Sequence, residues 1–232
     1  MARTGFSSTV IIACRVLKET LEPLIDPSVR DVTFLDYGLH RTPRLMAQSI
    51  QQRIDSVEQP SLILVGYGLC GNGLVGVKAR QHTLVIPRTD DCIALLLGSY
   101  QSYRAELAET PGTYFLTRGW LESRSDPLSE HEEYCGKYGP KKAAWIMDEQ
   151  YRNYRRLCLI TYSDDDLAAC RPRAGEVAEF CRARWNWRYE ERRGSDELIR
   201  RLLAFGRERP SDDFVVVLPG DEVRQSDFLR SY

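Results

Sequence analysis

No sign of charge prevails in this chain: 32 lysines and arginines face 33 aspartates and glutamates. A global field that would draw it to nucleic acid or to an anionic membrane is therefore excluded. Long apolar runs are missing too, the longest being strand-sized and far short of the roughly 18 residues a membrane-spanning helix needs. Val10-Ile11-Ile12-Ala13 is followed by no cleavage signal, so no secretory leader is expected and the cytoplasm is the expected compartment. Neither a G-x-x-x-x-G-K-[ST] phosphate loop nor a G-x-S-x-G nucleophile elbow occurs. Gly71-Asn72-Gly73-Leu74-Val75-Gly76 fits G-x-G-x-x-G, but it follows the third strand and no acidic residue closes the next strand, as a dinucleotide site requires. Cysteine is present in an odd number, seven, which in a reducing compartment means thiols or metal ligands rather than disulfides.

What is present is a repeated alternation of strand and helix. Strands are expected at Thr9 to Ala13, Val32 to Leu35, Leu62 to Val65, Thr83 to Ile86 and Thr113 to Leu116. Helices follow at Val16 to Ile25, from Arg44 with Met46, Ile50, Ile54 and Val57 on one face, and at Ile93 to Leu107. This order implies an α/β fold, a parallel Rossmann-like sheet with right-handed crossovers. Pro, Gly and Ser punctuate Ser123 to Pro140, which reads as a linker around one short helix. The expected division is a parallel lobe over 1–122, a linker over 123–140 and a second, smaller α/β lobe over 141–232. A cleft between the lobes would cover the strand ends. In the second lobe, Arg182, Arg184, Arg188, Arg192 and Arg193 interleave with Trp185, Trp187 and Tyr189, the composition of a single-strand nucleic-acid platform. Glu190 and Glu191 interrupt it, and a solvated, salt-bridged surface is the expectation.

All strand C-termini of a parallel sheet share one edge, where ligands bind. Cys14, His40, Cys70 and Cys92 each follow a different strand, and so are expected to converge. Cys70 stands in Gly66-Tyr67-Gly68-Leu69-Cys70-Gly71-Asn72-Gly73, where glycines let the backbone turn tightly; Gly71, Asn72 and Gly73 are candidate cofactor contacts. Three thiols and an imidazole match a zinc ligand set, and three thiols with an open position could hold an iron-sulfur cluster. A cysteine nucleophile at Cys70, activated by backbone amides and by His40 as base, is a further option, and an enzyme is expected to enclose a pocket with a supporting acid such as Asp36 or Asp91. The alternative is three small buried hydrophobes, since free cysteine is among the most buried residue types. Arg118 and Trp120 follow the fifth strand and are expected to meet an anionic or flat ligand on the same edge. His131 and Cys135 sit at i, i+4, where they would share one helix face and could add a ligand. Cys158 and Cys181 are expected in the core.

Ile11-Ile12-Ala13-Cys14, Leu39-His40-Arg41-Thr42-Pro43, Tyr67 to Gly73, Ile86-Pro87-Arg88-Thr89-Asp90-Asp91-Cys92 and Gly112 to Thr117 resemble the blocks of the family catalogued as domain of unknown function 1638. Members often carry His at the position of Asp91. The resemblance implies a link to one-carbon or corrinoid chemistry, since members are often encoded near corrinoid-dependent methyltransferases. Two readings follow: a metal-dependent methyl or group transferase acting on a thiol or corrinoid, or an accessory that holds a metal, cluster or cobalamin for a methyltransferase partner.

Overall fold

The computed structural model describes residues 8–205 and 211–230, with the side chain of His40 left aside. In chain order the strands are β1 (Thr9–Cys14), β2 (Asp31–Leu35), β3 (Leu62–Gly66), β4 (Thr83–Pro87), β5 (Thr113–Leu116), β6 (Arg156–Thr161), β7 (Arg188–Arg193) and β8 (Phe214–Val217). The helices are α1 (Lys18–Leu21), α2 (Pro43–Asp55), α3 (Ile93–Leu96), α4 (Tyr100–Glu109), α5 (Arg118–Glu122), α6 (Pro127–Tyr138), α7 (Pro140–Tyr151), α8 (Asp164–Trp185) and α9 (Glu197–Leu203).

The chain forms two compact units, 1–100 together with 195–232, and 101–194. The first holds a five-stranded sheet of order β2-β1-β3-β4-β8, parallel except for β8. Every residue of β3 and β4 is buried, as unbroken aliphatic runs require in a sheet covered on both faces. Met46, Ile50 and Ile54 of α2 are wholly buried, the face their spacing predicts. The second unit holds a parallel sheet, β5-β6-β7. Cys158 and Cys181 are buried there as expected. Strand β7 is exposed along most of its length, and its charges pair off, Arg171 with Glu191 at 2.7 Å and Glu190 with Arg156 at 2.6 Å.

The chain departs from the sequence-based division in two places. Strand β5 does not extend the first sheet; it pairs with β6. The edge of β4 is taken instead by β8, antiparallel, with Leu84 opposite Val217 and Pro87 opposite Phe214. Secondly, 123–140 is not a linker. Asp126 accepts the Ser129 amide at 2.9 Å and caps α6, and Gly139, at φ +77°, turns directly into α7 with Pro140 at its first position. Pro and Gly there are helix caps.

Candidate functional site: a thiol cluster at the sheet's switch point

From β1 the chain goes out to β2 and then back past β1 to β3, so strand order reverses between β1 and β3. An open parallel sheet forms a ligand crevice at the C-terminal end of such a switch point. Ala13 is in register with Gly66 there, and Cys14 and Tyr67 follow side by side. A Cβ on Gly66 would lie 2.6 Å from that of Ala13, so the two strand ends meet this closely only because residue 66 is glycine.

The loop after β3 is stitched to the loop after β4. The Leu69 amide donates to the Thr89 carbonyl at 2.9 Å and the Cys70 amide to the Asp90 carbonyl at 2.8 Å. A Cβ on Gly68 would lie 2.6 Å from the Asp91 backbone. Asp91 Oδ1 accepts the Ile93 amide at 2.9 Å, which fixes the start of α3 just after Cys92. Cys70, Gly71 and Asn72 are all left-handed, at φ +47°, +63° and +67°. This turn holds Cys70 against the neighbouring loop.

Cys14 and Cys70 are buried at 5% and 8% exposure, Tyr67 at 2%, and Cys92 is half-buried. Burial pushes the Cys14 thiol up to about 11, with the Val16 amide and the Tyr67 hydroxyl opposing the rise and the Asp36 charge adding to it. Cys70 is pushed up to about 12 by burial, then by Asp91 and Cys14, against the backbone groups of Gly68 and Cys92. Burial also raises Cys92 well above its ordinary value, followed by the charges of Cys70, Cys14 and Asp91. Tyr67 is raised by burial and then by all three cysteines. Tyr67 and Cys92 thus feel both other cysteines, and Cys70 feels Cys14, so these side chains are near neighbours. Backbone groups at 16, 68 and 92 favour the thiolate forms, but desolvation outweighs them, helped by Asp36 at Cys14 and by Asp91 and neighbouring cysteines at Cys70 and Cys92.

Cys14, Cys70 and Cys92 lie near enough for the charges of Cys14 and Cys70 to be felt at Cys92 and that of Cys14 at Cys70. His40 lies in the 3-10 turn Tyr37–Arg41 beyond β2. Asp36 caps that turn, accepting the Gly38 amide at 2.9 Å. Gly71 and Asn72 form the loop, and Gly73 packs on Met46, whose Sδ a Cβ would meet at 3.0 Å. Arg118 and Trp120 belong to the second unit, because β5 does; Arg118 donates to Glu122 at 2.7 Å and Trp120 packs on that unit's core. His131 and Cys135 are also in the second unit and do share a face, with Sγ 3.5 Å from Nε2.

Sequence reasoning missed Tyr67. A tyrosine after a strand reads as packing, yet its buried hydroxyl stands beside the Cys14 thiol and opposes the rise of that thiol's pKa. Three sulfurs are a donor set suited to zinc or an iron-sulfur cluster. Among the described residues, however, no group of three or more His, Cys, Asp or Glu is arranged to hold a metal ion, so the thiols are near one another without being preassembled.

Fold and site together define a Rossmann-like α/β protein with a thiol cluster at its switch point. The family model described as "Protein of unknown function (DUF1638)" matches residues 34–203, and the chain belongs to that family. Cys70 and Cys92 lie inside the matched region, and Cys14 precedes it. Comparison with curated proteins and with solved structures gives no match. No helix among the described residues is long and apolar enough to cross a membrane.

Proposed function

We propose that Cys14, Cys70 and Cys92 ligate a thiophilic metal centre, zinc or an iron-sulfur cluster, and that this centre serves methyl or other group transfer involving a thiol. The supporting observation is the chemistry of the three thiols: their neighbouring backbone favours the thiolates, but burial raises all three, with the charges of neighbouring cysteines adding at Cys70 and Cys92. A bound cation reverses that balance, since ligation replaces the protons and removes the repulsion. The metal would lower the pKa of a bound thiol and so supply a nucleophile near neutral pH. His40 is the fourth ligand or the proton carrier in this reading, and Asp36 lies near enough to Cys14 for its charge to be felt. In the transfer, the thiolate sulfur forms its bond to the migrating carbon while the carbon's bond to its carrier breaks and the electron pair stays on the carrier. A corrinoid held by a methyltransferase partner is the proposed carrier.

Anaerobic titration of metal-free protein with cobalt(II) tests the ligand set. The expected result is a sulfur-to-cobalt charge-transfer band saturating near one equivalent, with about three protons released per ion. Cys70→Ser should abolish the band, whereas Cys181→Ser should keep it at lower stability, because a buried hydroxyl replaces a packed thiol. A wild-type protein with neither band nor proton release overturns the proposal.

A further inference from the structure

We infer that the first unit carries a second site, at the end of its sheet opposite the thiols, for a small zwitterion with an apolar body, of the α-amino acid type. Thr9 and Leu62 begin β1 and β3 and lie in register, and a cavity of about 300 Å³ lies against them. That volume stands at the lower end of the range that small-molecule sites occupy. Leu62 and Leu64, two apart on one face of β3, line it at 7% and 1% exposure. Leu203 and Phe205 line it from α9 and the turn beyond, Leu24 and Val29 from the connection between α1 and β2, and all four are only half-buried. Apolar side chains that border a cavity with part of their surface in water gain free energy when an apolar body covers them. Among the described residues that line the cavity, one side chain is a cation, Arg200, and one an anion, Asp26. A ligand of either sign alone would be repelled by one of the two, whereas a zwitterion answers both. Asp196 steadies Arg200 by accepting from Nη2 at 2.7 Å, and the guanidinium donors on Nε and Nη1 suit a ligand carboxylate. The Ser28 amide donates to Asp26 Oδ1 at 2.8 Å, the Val29 amide to the Asp26 carbonyl at 3.0 Å and the Arg30 amide to the Thr9 carbonyl at 2.9 Å. These bonds fix the loop, so binding need not order it. The site is independent of the metal-thiolate reading, because Cys14 and Cys70 follow the other ends of β1 and β3.

Calorimetric titration of the full chain with L-leucine, L-phenylalanine, 4-methylpentanoate and 3-methylbutylamine tests the assignment. The last two keep the body of leucine with the carboxylate or the ammonium alone. At least one of the two amino acids should bind one to one, and 4-methylpentanoate and 3-methylbutylamine should bind about tenfold more weakly or worse, each lacking one charge-assisted contact. Arg200→Gln should weaken the amino acid about tenfold while leaving the melting temperature of the free protein unchanged, since an exposed i,i+4 ion pair contributes little. Ala204→Trp, at a half-buried position in the lining, should fill the cavity and abolish binding in a protein with the wild-type circular dichroism spectrum. No saturation with either amino acid at millimolar concentrations overturns the inference. Equal binding of leucine and 4-methylpentanoate also overturns it, since the site would then be one for a carboxylate, as does an affinity that neither variant changes, which would place the bound amino acid elsewhere. These results and the cobalt(II) titration stand apart: a missing cobalt band leaves this site untouched, and a missing amino acid leaves the metal reading untouched.

Discussion

At Cys70 the backbone is left-handed, φ +47°, in a residue that carries a Cβ. That conformation costs an L-residue about 1–2 kcal/mol, and strain of this kind persists only where the surroundings over-determine it. The hydrogen bond from the Cys70 amide to the Asp90 carbonyl and the left-handed Gly71 and Asn72 on the other side supply that constraint. Cys70→Gly should therefore be more stable than Cys70→Ala by about 1–2 kcal/mol in urea denaturation; both remove the sulfur, so equal stabilities would show that residue 70 is not strained. The loop itself was legible, because glycines beyond a buried aliphatic run predict a tight turn at a strand end. Tyr67 was not, because a buried hydroxyl beside a thiol is a property of the neighbours that β1, β3 and β4 bring together. No local pattern records them.

The helix expected over Ile93 to Leu107 is two elements, α3 and α4, and the break explains how a residue distant in sequence enters. Gly98 is left-handed at φ +84°, and a Cβ there would lie 2.4 Å from Ser195 Oγ and 2.5 Å from its Cβ. Ser195 is held in place by its backbone N–H, which donates to the Leu96 carbonyl at 3.0 Å. Gly98→Ala should then cost more than the roughly 1 kcal/mol of left-handed strain alone, and Ser195→Gly should recover the steric part while leaving the strain. A double-mutant cycle that gives no coupling between 98 and 195 would refute that division. Elements read well here wherever one period ran unbroken, as in β3, β4 and α2. They read poorly where a single glycine or a distant partner decided the outcome: β5 was found to the residue, yet its sheet was not. A strand of four mostly apolar residues, Thr113-Tyr114-Phe115-Leu116, satisfies any buried edge, and only β8, a hundred residues on, shows that the edge beside β4 is filled.

Considered whole, the molecule buries most of its cysteines. Cys14, Cys158 and Cys170 are pushed up to about 11, Cys70 and Cys181 to about 12, and Cys92 well above its ordinary value, burial being the first cause in each. In the unfolded chain these thiols ionise near 9. Below that pH both states are protonated, and the thiols' contribution to stability is fully present. Between pH 9 and 11–12 the unfolded chain releases protons that the folded one retains, so stability falls as pH rises, by up to about 1.4 kcal/mol per pH unit for each thiol. Urea midpoints of metal-free protein should accordingly be flat from pH 7 to 8.5 and fall steeply above 9. Loading provides the contrast. If Cys14, Cys70 and Cys92 are ligands, their protons have already left, and among the thiols with raised values Cys158, Cys170 and Cys181 still contribute to the alkaline slope, joined above pH 10 by the buried tyrosines in both forms of the protein. Between pH 9 and 10, where the thiols titrate ahead of the tyrosines, stability of the loaded protein should then fall about half as steeply, since three thiols rather than six remain to titrate. Equal slopes with and without metal would mean that the three sulfurs keep their protons, and that the cluster at the switch point is packing.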